Sequence, residues 1–142
     1  MSAAGVKQPV LREFRWPALW VAIWIAMIAA VTATSLVPAH DLPDVPDGFD
    51  KVEHFVGYLL LSAWAVMLFA HRRAQAVAAA FLIALGVALE VAQGAWTMSR
   101  MADSADALAN SLGVLAGLML GPTPLGGLLV WLEERFQRGP RS

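Results

Sequence analysis

The sequence predicts an all-α membrane protein. It reads as a four-helix transmembrane bundle with both termini cytoplasmic and a short interfacial helix near the C-terminus. Three observations lead there. The chain of 142 residues is 58% hydrophobic and only 15% charged, with a mean hydropathy of +0.61, well above the composition of a small water-soluble domain. Its apolar residues fall in long runs separated by short polar connections. Its basic residues fall on alternate connections, the asymmetry that orients membrane proteins. Cysteine is absent, which excludes a disulfide framework, a thiol nucleophile and a cysteine-ligated metal.

Residues 1–15 form a polar tail with Lys7, Arg12 and Arg15. The first span runs from Trp16 to Val37, long enough for a hydrocarbon core of roughly 30 Å at about 1.5 Å per residue. It is also longer than the apolar region of a secretory signal, about 7 to 15 residues, so it is read as a retained span. A loop follows, marked by Pro38, Pro43, Pro46 and Gly48 and acidic through Asp41, Asp44, Asp47 and Asp50. The second span covers Val52 to Ala70 and the third Ala74 to Thr97. A fourth, from Ala105 to Leu120, is short for a crossing at about 24 Å. Residues 16–121 are thus one membrane domain, and 122–142 a cytoplasmic segment in which Leu125 to Phe136 form the interfacial helix, with Trp131 at the headgroup level.

With the N-terminus inside, Lys7, Arg12, Arg15, Arg72, Arg73, Arg135, Arg138 and Arg141 lie on the inner face, and only Lys51 and Arg100 lie outside. This topology gathers polar residues at the outer end. Lys51, His54 and Tyr58 share the spacing i, i+3, i+7 where the second span begins. Glu90, Gln93 and Thr97 repeat it where the third ends, and Asp103, Asp106 and Asn110 where the fourth begins. A polar stripe facing lipid leaves its groups unsatisfied, so the three stripes should face one another and enclose an outward-opening pocket.

Each stripe also has a plainer explanation. Asp50 with Glu53, and Asp103 with Asp106, fit an N-cap followed by an acid three residues on, where side chains satisfy free N–H groups. Capping does not account for Glu90, in the later half of its helix, where the dipole disfavours an anion. Glu90 is either one half of an internal ion pair with Arg100, Lys51 or His54, or a ligand-binding or proton-transfer carboxylate. His71 belongs to the inner basic anchor, and His40 lies in the proline-rich loop. Gly86, Gly113 and Gly117 suit close helix contact. Trp16, Trp20 and Trp131 suit interface belts.

Together these residues resemble a known pattern. Asp50-Lys51-x-x-His54-x-x-x-Tyr58, then Glu90-x-x-Gln93, Arg100 and Asp106-x-x-x-Asn110-x-x-Gly113, is similar to the VanZ-like family of small bacterial membrane proteins over residues 50–120. The chain departs from that family in lacking a proline shortly before the arginine, where it has Ala95-Trp96-Thr97-Met98-Ser99. The resemblance implies a multi-pass protein of the bacterial cytoplasmic (inner) membrane, active in the cell envelope. The family's namesake is associated with resistance to the glycopeptide teicoplanin.

The residues themselves suggest a binding role, with Lys51, His54, Tyr58, Glu90, Gln93, Arg100, Asp103, Asp106 and Asn110 as ligand-binding candidates. The expected ligand has an anionic or polyhydroxylated headgroup: an envelope lipid, a lipid-linked precursor or a glycopeptide. The alternative is a hydrolase or transferase acting on an envelope lipid, for which Glu90, His54, Asp103 and Asp106 are the residue types needed for acid–base work or a hard-metal site. No triad, HExxH or phosphatase motif is present, so no cofactor and no metal are assigned from sequence. A conduction path is weakly supported, since Thr32, Ser62 and Ser111 are the main polar residues of the inner half. Membrane lipids are the expected partners, and no nucleic acid.

Overall fold

The computed structural model describes residues 9–37, 48–96 and 103–137. These form five α-helices: α1 (Pro17–Ser35), α2 (Phe49–Leu68), α3 (Arg72–Trp96), α4 (Ser104–Leu118) and α5 (Leu128–Gln137), with a 3-10 turn at Pro124–Gly127 before α5. Strand pairing among the described residues is limited to one isolated bridge, Leu11 with Phe69. Three helices, Pro17–Ser35, Phe49–Leu68 and Arg72–Ala95, are long and apolar enough to cross a membrane. The 15 residues of α4 span only about 22 Å.

Local chemistry sets the helix ends. Pro17 at the first position starts α1, its missing N–H costing nothing there. The start of α2 is a correction to the capping pattern read from sequence. Gly48, in the left-handed region with φ +85°, precedes the helix, and Asp50 lies inside the first turn. Asp103 does cap α4, accepting the Ala105 N–H at 2.8 Å. At the opposite end, the open carbonyls of α2 are taken up from outside the helix. Arg12 donates from its backbone to Leu68 O and from Nη2 to Val66 O, while Gln75 Nε2 donates to Val66 O and Phe69 O.

α2 is the hub, and its most extensive neighbour is α4. Gly113 and Gly117 create that contact. A methyl group on Gly113 would collide with the Phe55 carbonyl oxygen, and one on Gly117 would lie 2.5 Å from the carbonyl oxygen of Leu59. The small residues let two backbones meet where side chains cannot fit. Ser62 Oγ then donates to Val114 O at 2.8 Å across the same seam. Tyr58, Leu61, Ala79, Leu82 and Val114 form the core, with Trp24, Met27, Ile28 and Val31 of α1 packed against it.

α1 is attached differently. It has no fully buried residue, and Leu19 and Ile25 point outward, as for a helix that is apolar all round. Two indoles tie it to α2: Trp24 Nε1 donates to Leu61 O at 3.0 Å, and Trp64 Nε1 to Trp20 O at 3.2 Å. The outer surfaces of α2, α3 and α4 are likewise apolar, through Val56, Leu60, Val77, Phe81, Leu108 and Leu112.

The chain's two end segments pack on the bundle. Of the expected polar tail, residues 9–15 run beside the end of α2, where Ala70 N donates to Val10 O. Helix α5 is docked on the bundle through Leu129 and Glu133, which are buried. Glu133 accepts from Arg15 N, Trp16 N and Trp20 Nε1 at 2.6, 3.0 and 3.1 Å. Trp20 is therefore a partner of Glu133, whereas Trp131 is exposed and stacked by Arg135. Burial pushes the Glu133 carboxyl up, but these three donors and the nearby Arg15 charge outweigh it and hold the group below its ordinary value.

Candidate functional site

The starts of α2 and α4 and the later half of α3 meet at the bundle end remote from Glu133. Helical periodicity on α2 places Lys51, His54 and Tyr58 on one side, and all three turn toward α3 and α4. Lys51 Nζ lies 3.3 Å from Asp50 Oδ2, 3.2 Å from Asp103 Oδ2 and 3.4 Å from Asp106 Oδ1. The last contact lacks hydrogen-bond geometry, and Asp106 Oδ1 is buried without a hydrogen-bond partner among the described residues. Asp103 is held below its usual range, first by the Ala105 N–H and then by Lys51.

His54 Nδ1 lies 3.1 Å from Asn110 Oδ1. Its Nε2 faces Asp106 Oδ2 at 4.0 Å. Glu90, only 5% exposed on α3, completes the group: one ligand atom from each of His54, Glu90 and Asp106 lies within 4.8 Å of the others. Tyr58, 1% exposed, sits one turn from His54, and its hydroxyl has no hydrogen-bond partner among the described residues. Glu90 is close enough to act on it electrostatically. Gly86 makes the room, since a Cβ there would sit 3.1 Å from Asn110 Cβ and 3.3 Å from Tyr58 Cε1.

A cavity of about 140 Å³ opens beside this cluster, lined by Thr34, Ser35, Asp50, Glu53, His54 and Tyr58. At roughly 30 Å³ per liquid water, that is room for about four or five waters or one small polar group. At the other end of the bundle, a larger apolar groove of about 840 Å³ runs past Trp24, Phe69, Val77 and Phe81, with His71 and Arg73 in its lining.

The structure thus brings together Lys51, His54, Tyr58, Glu90, Asp103, Asp106 and Asn110. The buried amide of Gln93 donates to the carbonyl oxygen of Ser35 at the end of α1. Arg100 and Thr97 lie outside the described residues, as do Lys7, His40, Asp41, Asp44, Asp47, Arg138 and Arg141. Ser62 and Ser111 both bond helix carbonyls. Gln75 and Glu133, two further buried polar residues, also join separate segments through their side chains.

No known protein family, curated protein or solved structure matches the chain.

Proposed function

We propose that this is a VanZ-like, multi-pass protein of the bacterial cytoplasmic membrane that binds the headgroup of an envelope lipid or lipid-linked precursor. In this reading α4 is a fourth, short crossing, both termini are cytoplasmic, and the polar end of the bundle opens outward. The observation that carries it is the convergence of buried Glu90 and Asn110 with His54, Tyr58 and Asp106 beside a small polar cavity. An ionisable residue buried within a membrane bundle marks a functional site by default.

The ligand class follows from the charges and the volume. Lys51 is already surrounded by Asp50, Asp103 and Asp106, and Glu53 adds a further carboxylate to the cavity lining. Among the described residues the site therefore favours hydroxyl donors over a bare anion, which selects a polyhydroxylated, sugar-like headgroup. A cavity of about 140 Å³ admits one such group and not a glycopeptide, so contact with an antibiotic of the teicoplanin type would occur at its mouth. A role in resistance would then act through the shared envelope ligand.

The test is mass spectrometry of lipids that copurify with the protein in native membrane particles. Wild-type protein should retain a hydroxyl-rich envelope lipid that Glu90→Ala and Asn110→Ala release, at equal protein level in the membrane. Identical lipid profiles for all three would overturn the reading. Glycopeptide susceptibility of strains carrying the same variants, together with Arg100→Ala, measures the resistance role.

The spacing of His54, Glu90 and Asp106 supports a second reading, a hydrolase or transferase acting on the same lipid. Here one carboxylate or His54 would take a proton from the nucleophile. Turnover of the retained lipid by purified protein, lost in Asp106→Asn, would favour it over binding.

A further inference from the structure

We propose that His54, Glu90 and Asp106 form a binding site for a divalent first-row metal ion of the zinc type. They come from three different helices, yet one ligand atom from each lies within 4.8 Å of the others. A three-ligand zinc site has metal–ligand bonds of about 2.0 to 2.2 Å, which sets ligand atoms roughly 3.4 Å apart in a tetrahedron. The observed spacing closes to that with side-chain movements of about an ångström.

The orientation of His54 favours the ion. Asn110 Oδ1 can only accept, so the 3.1 Å contact makes Nδ1 the donor. A neutral ring then carries its lone pair on Nε2, which faces the acceptor Asp106 Oδ2 at 4.0 Å. An ion placed between these two acceptors would be held by both of them. A metal-bound histidine typically has its other nitrogen held by a carbonyl or carboxylate oxygen, the role Asn110 fills here.

A second observation points the same way. Tyr58 is 1% exposed and its hydroxyl has no hydrogen-bond partner among the described residues, although it lies one turn from His54 and within electrostatic reach of Glu90. A water or ligand oxygen on the ion's remaining position would give that hydroxyl a partner. One imidazole with two carboxylates suits zinc or manganese rather than calcium or magnesium, which prefer oxygen alone. Lys51, already engaged with Asp103 and Asp106 Oδ1, leaves Asp106 Oδ2 to the metal.

The site shares its residues with the proposed lipid site but does not depend on lipid recognition. Its test uses full-length, detergent-purified protein and zinc alone. After stripping with a chelator, reloading and dialysis, elemental analysis should give about one zinc per chain, and zinc should raise the melting temperature by mass action. Glu90→Gln and Asp106→Asn should each reduce retained zinc at least tenfold and abolish the melting shift. Wild-type protein that keeps less than a tenth of an equivalent and shows no shift would overturn the proposal, whatever the variants do. Full zinc retention in a folded Asp106→Asn protein would overturn it equally. Copurified lipid lost in the variants but zinc absent throughout would retain the lipid reading and eliminate this one.

Discussion

Lys51 of α2 and Asp103, the cap of α4, are joined at 3.2 Å, so one ammonium group fixes the start of one helix against the start of the other. The same nitrogen reaches Asp50 and Asp106. Lys51 is 40% exposed, so the pairing contributes little to stability and mostly to register.

From that follows the first prediction. Lys51→Met should leave stability almost unchanged. The Asp103 pKa should rise toward its ordinary value while staying below it, because the Ala105 N–H remains. Carbon-detected NMR titration of Asp103 in detergent micelles reads the pKa, and an unchanged value would show that the pair is not formed.

Gly113→Ala should be far more harmful, for the added methyl meets the Phe55 carbonyl oxygen, and backbone cannot swing aside. We expect a loss of about 1 to 3 kcal/mol, measured as a lowered midpoint in denaturant. Gly127→Ala, where nothing lies within 4 Å, is the matched control and should change little.

Glu133→Gln removes the charge that holds Arg15, Trp16 and Trp20, and should cost about 2 kcal/mol. Its pH dependence has a definite sign. A carboxyl depressed on folding adds stability above its unfolded pKa, near 4.5, and loses that contribution as pH falls through the lower folded value. Wild-type and Glu133→Gln melting temperatures should therefore differ at neutral pH and converge in acid. A gap that stays constant down to the point of acid unfolding would count against this account.

Tyr58→Phe deletes a buried hydroxyl that has no hydrogen-bond partner among the described residues, so stability should hold or improve by up to about 1 kcal/mol. If the hydroxyl serves a ligand, retained lipid or zinc should fall nonetheless. Neighbouring Leu61→Ala, which empties the core, should cost about 2 to 5 kcal/mol.

Much of the arrangement was readable from residue order. The helices lie within a few residues of their expected positions, because apolar runs of this length have few alternatives. The spacing Lys51-His54-Tyr58 and Asp103-Asp106-Asn110 identified the faces that do meet, since a polar stripe in an apolar helix must find a partner. Gly113 and Gly117 identified the close seam, though not that its partner is the backbone of Phe55 and Leu59.

Composition and periodicity by themselves thus determined the all-helical, bilayer-compatible character of this protein and the end at which its polar residues gather. They act through local forces, namely hydrophobicity, capping and helical repeat, which each segment expresses without its neighbours. Tertiary structure alone decided that Gln93 clasps α1, that Glu133 holds the N-terminal segment and that Glu90 approaches His54 and Asp106. Those outcomes depend on contacts between residues as many as 118 positions apart, whose geometry is set only once the helices have packed.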